Sequence, residues 1–421
     1  MKKKKNNMRK NVLWNTIGVF TISLTSFIYS LILVRLCNLN ITGIWSYSFA
    51  LACTTVTLAS FGGRTYQVTD VKNEIPTYVY ISSRYITVTI TIFLTIAFIL
   101  FKGFDLEKAI IIFLLSLFKY CEELSDVYYG VLQKHDYLYV VGKSMFFKSI
   151  INILLFFITI LLSKSLLLAV VLILLNNLLF LILYDRRKAR KLEKIEKINK
   201  MDYYKKYFKN NLIICLILFL SIFLVNCSKY VMGNYLSNEI QGIFNVLLLP
   251  ATAVSLIGSF IINPILVNIS VDFSNNEMKK IKKSSFKIII VLLVFGLLLM
   301  LGGYIFGPIL YKIIYNFDLN EYMKEFLIIM LGCTFYTIST ILSMIFITLR
   351  KLKTQLVYNI ILSIAAYILC VWFVKNYGIT GGVYSYAITM FIRFVIYLIM
   401  LLNVKEEKKN EKTKSSTCFT N

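Results

Sequence analysis

The chain has 421 residues, of which 58% are hydrophobic and 16% are charged, and its mean hydropathy is +0.72. A soluble domain carries about a quarter charged residues, so this composition excludes a water-soluble protein. The net charge of +25 would suggest a nucleic-acid partner for a soluble protein. Here the basic residues are sorted by side of a membrane, and we expect no nucleic acid.

Long apolar segments follow one another along the chain. Residues 166–184 and 288–306 carry no charge, and each can cross a hydrocarbon core of about 30 Å as a helix. Backbone groups in lipid have no water to bond, so every span must be helical. We predict an all-α membrane protein with about twelve transmembrane helices. The predicted spans are 11–36, 43–63, 79–101, 108–132, 138–163, 165–184, 211–235, 241–267, 285–311, 323–348, 354–374 and 378–402.

The distribution of Lys and Arg predicts the orientation of these spans. With the N-terminus in the cytoplasm, the inner side holds 32 basic residues, the outer side holds 6, and 8 lie within spans. Such an excess on one side follows the positive-inside rule. We therefore predict that both termini are cytoplasmic and that the protein lies in a plasma (inner) membrane.

The longest inner segment divides the spans into two groups of six. Its apolar residues recur every three or four positions and predict one amphipathic helix in the headgroup region, with a solvated linker as the alternative. The stripe comprises Leu192, Ile195, Ile198, Met201, Tyr204 and Phe208. The predicted domains are a first half (1–184), a basic linker (185–210), a second half (211–403) and a charged cytoplasmic tail (404–421).

Short sequence matches between the halves indicate a duplication. Without gaps, an offset of 199 residues brings Lys10-Asn11 onto Lys209-Asn210 and Gly43-Ile44 onto Gly242-Ile243. Because six is an even number, both halves would enter the membrane from the same side. Their relating axis would run along the membrane normal and leave a cleft between them.

Charged side chains inside spans are the main functional signal, because each costs a few kcal/mol unless it meets a partner or a wet cavity. The fourth span carries Lys119, Glu122, Glu123 and Asp126. Their spacing places them on one helical face and predicts a Lys119–Glu123 pair, with Glu122 and Asp126 free for cations elsewhere. These residues could serve ion coupling or charge pairing.

The cations within spans predict a positively charged lumen. Arg393 lies near mid-membrane by count and Lys229 lies in the seventh span, and the other candidates are Arg35, Arg64, Arg84 and Lys143. A lumen with several cations and few acids suits an anionic passenger such as a lipid pyrophosphate. Two alternatives stay open: proton or sodium sites, and charges that only join helices. For the four candidates near span ends, snorkelling is a further alternative.

Prolines and glycines predict irregular points in the second half. Pro250, Gly258 and Pro264 interrupt the eighth span and could form a hinge, or could be static packing features, and Pro308 is expected to end the ninth span. No catalytic constellation, metal site or cofactor site is predicted. The single histidine is His135, no CxxC pair occurs, and the short outer loops disfavour a membrane-embedded glycan polymerase or glycosyltransferase.

Several short motifs resemble one family of transporters, the Wzx-type oligosaccharide-lipid flippases of bacterial polysaccharide biosynthesis. The resemblance covers nearly the whole chain, and the order and spacing of the motifs carry it. The motifs are Lys10-Asn11-Val12-Leu13-Trp14-Asn15-Thr16, Gly43-Ile44-Trp45-Ser46-Tyr47, Phe61-Gly62-Gly63-Arg64, Tyr129-Gly130-Val131-Leu132-Gln133, Lys229-Tyr230-Val231-Met232-Gly233-Asn234-Tyr235-Leu236 and Tyr377-Gly378-Ile379-Thr380-Gly381-Gly382.

The resemblance implies membership of the multidrug/oligosaccharidyl-lipid/polysaccharide (MOP) superfamily. It implies two six-helix bundles in a MATE-like V. It also implies a flippase that moves an undecaprenyl-diphosphate-linked oligosaccharide to the outer leaflet for capsule, O-antigen or another surface polysaccharide. Membrane lipids and other polysaccharide-assembly proteins would be its partners. Lys229 and Arg64 are the positions that the resemblance carries over as binding residues, and H⁺ or Na⁺ coupling is implied without a cofactor.

Three other functions remain as alternatives. A drug/ion antiporter of the same superfamily would need an acidic lumen for cationic substrates, which the surplus of Lys and Arg within the spans disfavours. A lipid II flippase usually has fourteen helices. A membrane-embedded glycan polymerase or glycosyltransferase, which is an enzyme, would need a large outer loop or a paired-acid loop.

Overall fold

The computed structural model of the protein describes residues 2–70, 73–193, 195–198, 200–250, 269, 272, 273, 275 and 277–403, with the side chains of all but 2–7 and 65. Helices account for the regular structure of these residues, which contain no β-strand. The predicted all-α fold is confirmed.

Thirteen helices are numbered here in chain order. The last residue described in α10 is 250, and a π-helix over Phe180–Asp185 joins α7 to α8. The helices are α1 (Lys2–Leu36), α2 (Leu39–Ser60), α3 (Gly63–Thr69), α4 (Thr77–Lys102), α5 (Leu106–Lys134), α6 (Leu138–Ser163), α7 (Leu166–Leu179), α8 (Arg186–Leu192), α9 (Met201–Tyr235), α10 (238–250), α11 (Met278–Tyr315), α12 (Met323–Thr348) and α13 (Leu352–Leu402).

Among the described residues, nine helices are long and apolar enough to cross a membrane. Three predicted spans are missing from that number. The α5 helix carries too many charged side chains to be counted, and residues 251–268 of the eighth span lie outside the described residues. The last two predicted spans both lie in α13, which is counted as one helix. Gly378, with φ 55° and ψ −129°, interrupts α13 at the boundary of the last two predicted spans. The count of twelve stays a prediction.

The offset of 199 residues also relates helix boundaries. Both α1 and α9 have 35 residues, and α9 begins and ends 199 positions after α1. The start of α10 follows the start of α2 by the same interval. Even the helix caps correspond. The Asn38 side chain accepts from the Ile41 N–H at 2.9 Å, and the Ser237 hydroxyl accepts from the Ile240 N–H at 3.4 Å.

The first half packs around α1, α2 and α5. In this half α1 lies against α6, and α5 lies against α2, α4 and α7. The contact between α1 and α6 is close at two glycines, since a Cβ on Gly18 would lie 2.5 Å from the Gly142 carbonyl oxygen. Tyr29, Trp45 and Phe156 form an aromatic centre, with the rings of Tyr29 and Phe156 4.6 Å apart.

The second half packs around α13, which lies against α9 and α12, while α11 lies against α12. Pro250 has no N–H group and therefore leaves the Val246 carbonyl without its usual helical donor. The Tyr311 hydroxyl of α11 replaces that donor, at 3.1 Å from the Val246 oxygen. Gly258 and Pro264 lie outside the described residues, so the hinge stays a prediction.

Pro308 does not end the ninth span, and this prediction was wrong. The α11 helix continues beyond Pro308 to Tyr315. Proline removes one hydrogen bond from a helix, but lipid offers the remaining backbone groups no partner outside the helix. The helical conformation therefore persists through Pro308.

The linker differs from its prediction as one helix. The α8 helix ends at Leu192, Glu193 is extended, residues 195–198 are not helical, and α9 begins at Met201. Apolar linker residues pack on a first-half cluster that includes Ile75 and Tyr80. The packed residues are Leu192, Ile195, Tyr204 and Phe208. These residues therefore pack on a surface of the protein that is predicted to face the inner side, and not on one another along a single helix.

Candidate functional site

A cavity of about 300 Å³ lies between the two halves. Helices α1 and α2 form its first-half wall, and α9, α10, α12 and α13 form its second-half wall. The lining residues are Ser23, Ser26, Phe27, Ser30, Trp45, Ser46, Phe49, Val225, Asn226, Lys229, Asn245, Leu248, Leu249, Cys333, Tyr336 and Tyr386.

Positions related by the 199-residue offset face each other across this cavity. Ser30 corresponds to Lys229, and Ser46 corresponds to Asn245, and all four line the cavity. The cavity therefore lies where an axis relating the two halves would pass. Its walls differ in chemistry, because the first half contributes hydroxyl groups where the second contributes an ammonium group and an amide.

Lys229 supplies the ammonium group of the cavity wall. Its backbone carbonyl accepts a hydrogen bond from the Gln241 side chain at 2.9 Å. Within the part of the chain that the structure describes, its side chain has neither a hydrogen bond nor an ion pair. The ammonium group therefore has only the cavity from which to take a partner. Its sequence-predicted role in binding an anion stays a prediction.

Arg393 is buried beside the cavity on α13. The residue is only 1% exposed, and all three guanidinium nitrogens lack a hydrogen-bond partner among the described residues. The guanidinium carbon lies 6.0 Å from the ring centre of Tyr336 and 5.7 Å from that of Tyr397. Tyr336 also lines the cavity, so this ring connects Arg393 to the cavity wall.

The sequence of the second half provides these two cations with no acid at membrane depth. All six Asp and Glu residues of segment 211–403 lie in loops or near the ends of helices. They are Glu239, Asp272, Glu277, Asp318, Glu321 and Glu325. An unpaired buried cation costs several kcal/mol, so a partner that carries negative charge would be strongly stabilised here.

The three acids of α5 at predicted membrane depth all have cations of their own. Lys119 pairs with Glu122 at 2.8 Å, Arg84 pairs with Glu123, and Arg64 lies 3.5 Å from Asp126. The predicted Lys119–Glu123 pair, with Glu122 left for another cation, was therefore wrong. The four charged residues do share one face of α5, as predicted. However, Glu123 pairs with Arg84 of α4, and Lys119 pairs with Glu122 on its own helix.

The other predicted lumen cations do not line this cavity. Arg64 and Arg84 are held by the acids of α5. The Lys143 ammonium lies 5.0 Å from the Trp14 ring centre, between α6 and α1, and Arg35 is exposed at the end of α1. The sequence predicts how far along a helix each of these residues lies, but not which neighbouring helix its side chain faces.

The starts of α2 and α10, which are their predicted outer ends, pack closely against each other. A Cβ on Gly43 would lie 1.7 Å from the Asn238 carbonyl oxygen, and a Cβ on Gly242 would lie 2.1 Å from the Leu39 carbonyl oxygen. These contacts are reciprocal under the 199-residue offset. The Lys108 ammonium adds a hydrogen bond of 2.9 Å to the Asn238 side chain.

A second recess, of about 640 Å³, lies between the predicted inner loops and the linker. Asp70 and His135 line it, and His135 lies 3.2 Å from Glu193 of the linker. Partial burial alone would raise the pKa of the Asp70 carboxyl. Hydrogen bonds from two backbone N–H groups and the Tyr80 hydroxyl reverse that effect and hold its pKa below the usual value.

Sequence reasoning missed two polar groups. The cavity serines of α1 went unnoticed, although their spacing of three and four residues was a readable signal. A buried network at the end of the π-helix was also missed, because Asp185 was placed in the linker. Asp185 accepts from the hydroxyls of Ser144 at 2.6 Å and Tyr129 at 3.2 Å, and Lys148 donates to Tyr129 at 3.2 Å.

Solved structures of membrane transporters share this fold. The lipid II flippase MurJ, in an inward closed conformation, matches with a TM-score of 0.70 and 15% identity over 93% of this chain and 87% of the flippase. An inward-facing multidrug resistance MATE family transporter of the MOP superfamily matches with a TM-score of 0.63 and 12% identity, over 93% of this chain and 98% of the transporter.

A MOP superfamily transporter from Pyrococcus furiosus, described with a binding pocket of reverse polarity, matches with a TM-score of 0.57. The identity is 12%, over 94% of this chain and 95% of that protein. No protein-family model and no curated protein matches the sequence. The fold therefore defines a multi-pass helical membrane protein with the architecture of MOP superfamily transporters. More particularly, MurJ and the MATE transporters are the proteins whose fold this chain shares.

Proposed function

We propose that the protein is a flippase for a lipid-linked oligosaccharide of the Wzx type. It carries undecaprenyl-diphosphate-linked units from the inner to the outer leaflet of a bacterial plasma membrane, for capsule or another surface polysaccharide. The observation that carries the proposal is a pair of cations, Lys229 on the cavity wall and Arg393 beside it, that have no ion pair among the described residues.

A phosphate-bearing cargo supplies the missing charge. Charge-assisted hydrogen bonds to phosphate are about twice as strong as neutral ones, and guanidinium geometry suits two phosphate oxygens at once. Because neither Arg393, which is buried, nor Lys229, which lines the cavity, has an ion pair among the described residues, an anion gains their attraction without breaking one. In this proposal Lys229 binds the diphosphate in the cavity, and Arg393 stabilises it from behind Tyr336.

The fold likeness supports transport of a lipid-linked substrate. The flippase among the matching structures is one for lipid II. Alternating access between the two halves fits a cavity that lies between them. The plasma membrane location and the assembly partners belong to the same proposal.

The strongest competing function is drug/ion antiport, because MATE transporters share the fold. A cationic drug would meet the Lys229 ammonium on the wall, and Glu122, Glu123 and Asp126 of α5 already hold cations in the described structure. A glycosyltransferase or polymerase is also less favoured, because its catalytic acids must be free to transfer protons, whereas these acids are held in ion pairs. Coupling to H⁺ or Na⁺ through Glu122, Glu123 or Asp126 remains a proposal.

Transport by purified protein in vesicles tests the function. We expect movement of a fluorescent polyprenyl-diphosphate sugar across the bilayer, and a loss of at least tenfold in Lys229→Ala and Arg393→Ala. Lys287→Ala is the matched control, because Lys287 is exposed on α11 and away from the cavity. Full transport in both cavity variants would refute the anionic-cargo mechanism, and export of a cationic dye instead would favour the antiporter.

A further inference from the structure

Three serines of α1 face the cavity from one side of the helix. Ser23, Ser26 and Ser30 follow one another at intervals of three and four residues, which places them on a single helical face. Ser30 is only 5% exposed. In the described structure none of the three hydroxyls has a hydrogen-bond partner.

Two threonine hydroxyls of the same helix behave differently. Thr21 donates to the Ile17 carbonyl at 2.8 Å, and Thr25 donates to the Ile22 carbonyl at 2.7 Å. Such bonds to the preceding turn are the usual way in which a helix in lipid satisfies a hydroxyl group. The serines that face the cavity do not use them, so their hydrogen-bonding capacity is directed into the cavity.

Two further polar groups of the cavity share this property. Ser46 is 3% exposed and has no hydrogen-bond partner among the described residues, and Asn245, its counterpart under the 199-residue offset, is 5% exposed. The Asn245 side-chain amide nitrogen is buried without an acceptor. Buried polar groups are rarely left unpaired, because each costs about 1–3 kcal/mol. A ligand with several hydroxyl groups could satisfy them together.

Aromatic rings lie beside these hydroxyl groups. The Trp45 and Phe49 rings both line the cavity and stack with centroids 5.1 Å apart and an interplanar angle of 20°. Trp45 is only 1% exposed, so these packed rings give the cavity a rigid apolar boundary beside its polar groups. Apolar surface next to a few placed polar groups suits a ring-shaped ligand that is apolar on its face and polar at its edge. A sugar ring has this character, because its C–H groups form a face and its hydroxyls form the rim.

We propose that the α1 serines, Ser46 and Asn245 form a saccharide subsite, while Lys229 on the other half binds the phosphate of the same cargo. The inference rests on the proposed function and adds to it that different residues of the cavity bind the sugar and the phosphate of the cargo. When no cargo is bound, water molecules hydrogen-bond to such polar groups. Sugar hydroxyls replace these water molecules and form equivalent hydrogen bonds. The serines then determine which cargo is preferred, and Lys229 determines that the cargo is anionic.

The test compares binding of soluble analogues to the purified full-length protein. The probes are geranyl diphosphate and a panel of geranyl-diphosphate monosaccharides, measured by titration calorimetry. We expect the protein to bind at least one sugar-bearing probe more tightly than geranyl diphosphate. Ser30→Ala should reduce that preference about two- to tenfold, and the triple Ser23→Ala, Ser26→Ala, Ser30→Ala variant should abolish it. Affinity for geranyl diphosphate itself should stay unchanged.

Controls separate this inference from the proposed function. Thr21→Val removes a hydroxyl group from the same helix outside the cavity and should leave the preference intact. Ser30→Thr keeps a hydroxyl group and should restore it. Either an equal affinity for all probes in the unmodified protein or an undiminished preference in the triple variant would overturn the saccharide subsite. Unchanged affinity for geranyl diphosphate in Lys229→Ala would instead overturn the anionic-cargo mechanism alone.

Discussion

Charged residues at membrane depth occur here in two states. In the first half, Arg84 is 2% exposed and pairs with Glu123, whose side chain is 21% exposed. In the second half, Arg393 is as deeply buried, but its guanidinium nitrogens have no hydrogen-bond partner among the described residues. The difference lies in the acids, since α5 carries three carboxylates at membrane depth and the spans of the second half carry none there. Paired cations stabilise helix packing, whereas unpaired cations are available to a ligand.

This difference predicts how substitutions at the paired residues act on stability. Arg84→Leu leaves the Glu123 carboxylate without its partner and should lower the free energy of unfolding by about 3 kcal/mol. Thermal unfolding of the purified protein in detergent measures the loss. Because Arg84 does not line the cavity, transport by the protein that remains folded should persist.

A double variant provides the control for that prediction. Arg84→Leu combined with Glu123→Gln removes both charges, and it should recover most of the lost stability because no buried charge remains unpaired. If the double variant unfolds as readily as Arg84→Leu, the pair does not act through charge. Lys287→Ala, at an exposed position, should unfold like the unmodified protein.

At the scale of helices, α2 and α10 meet at two glycines. Gly43 and Gly242 allow the first turns of these helices to approach closer than any side chain would permit. The same two residues provided the match between the halves in the sequence. The duplicated glycine therefore has a physical use in both copies, which is to bring together the helix starts on the predicted outer side.

A side chain at either glycine should separate these helix starts. We expect that Gly43→Val or Gly242→Val prevents the closed arrangement, because the new Cβ would overlap a backbone oxygen of the other helix. Cysteines introduced at Lys108 and Asn238, whose side chains hydrogen-bond here, should be joined by a bismaleimide reagent that spans about 8 Å, because a lysine side chain bridges more than the distance of about 4 Å between Cβ atoms in a disulfide. The valine variants should lose most of this cross-link.

The matched control for the glycine variants is Gly302→Val. Gly302 lies in α11, and a Cβ there would have no neighbour within 4 Å, so the cross-link should be retained. Mass spectrometry identifies the cross-linked pair among the native cysteines. A full cross-link yield in Gly43→Val would mean that the close approach is not required for closure.

For the whole molecule, the arrangement of two halves around a cavity depends on how the chain crosses the membrane. The excess of basic residues on one side predicts cytoplasmic termini and twelve spans, and three of these spans are not among the nine recognised by length and composition. The charged α5 helix is the informative case. Its charges are hidden by partners on α3 and α4, which composition alone does not reveal.

Reporter fusions test this topology. Alkaline phosphatase inserted after Lys164, between α6 and α7, should be active outside the cytoplasm, whereas the same insertion after His135 should be inactive. If α5 did not cross the membrane, the two activities would be reversed, with the phosphatase active after His135 and inactive after Lys164. Fluorescence of a green fluorescent protein fused after Asn403 should show that the end of α13 is cytoplasmic.

The sequence alone determined the all-α membrane fold and the charged face of α5. These features follow from local properties, namely the apolar length of a segment and the helical repeat of its polar residues. The same local properties gave wrong predictions for Pro308 and for the linker. A helix in lipid keeps its backbone hydrogen bonds past a proline, and the apolar linker residues pack on the first half.

Only the tertiary structure decided which charges meet and which face the cavity. The depth of a residue can be counted along its helix, but its partner depends on how neighbouring helices rotate and approach. Arg84, Arg64 and Lys229 look alike in sequence, yet the first two bond to acids and the third lines a cavity. The serines of α1 became significant for the same reason, since a hydroxyl group is informative only when its surroundings show that it has no partner.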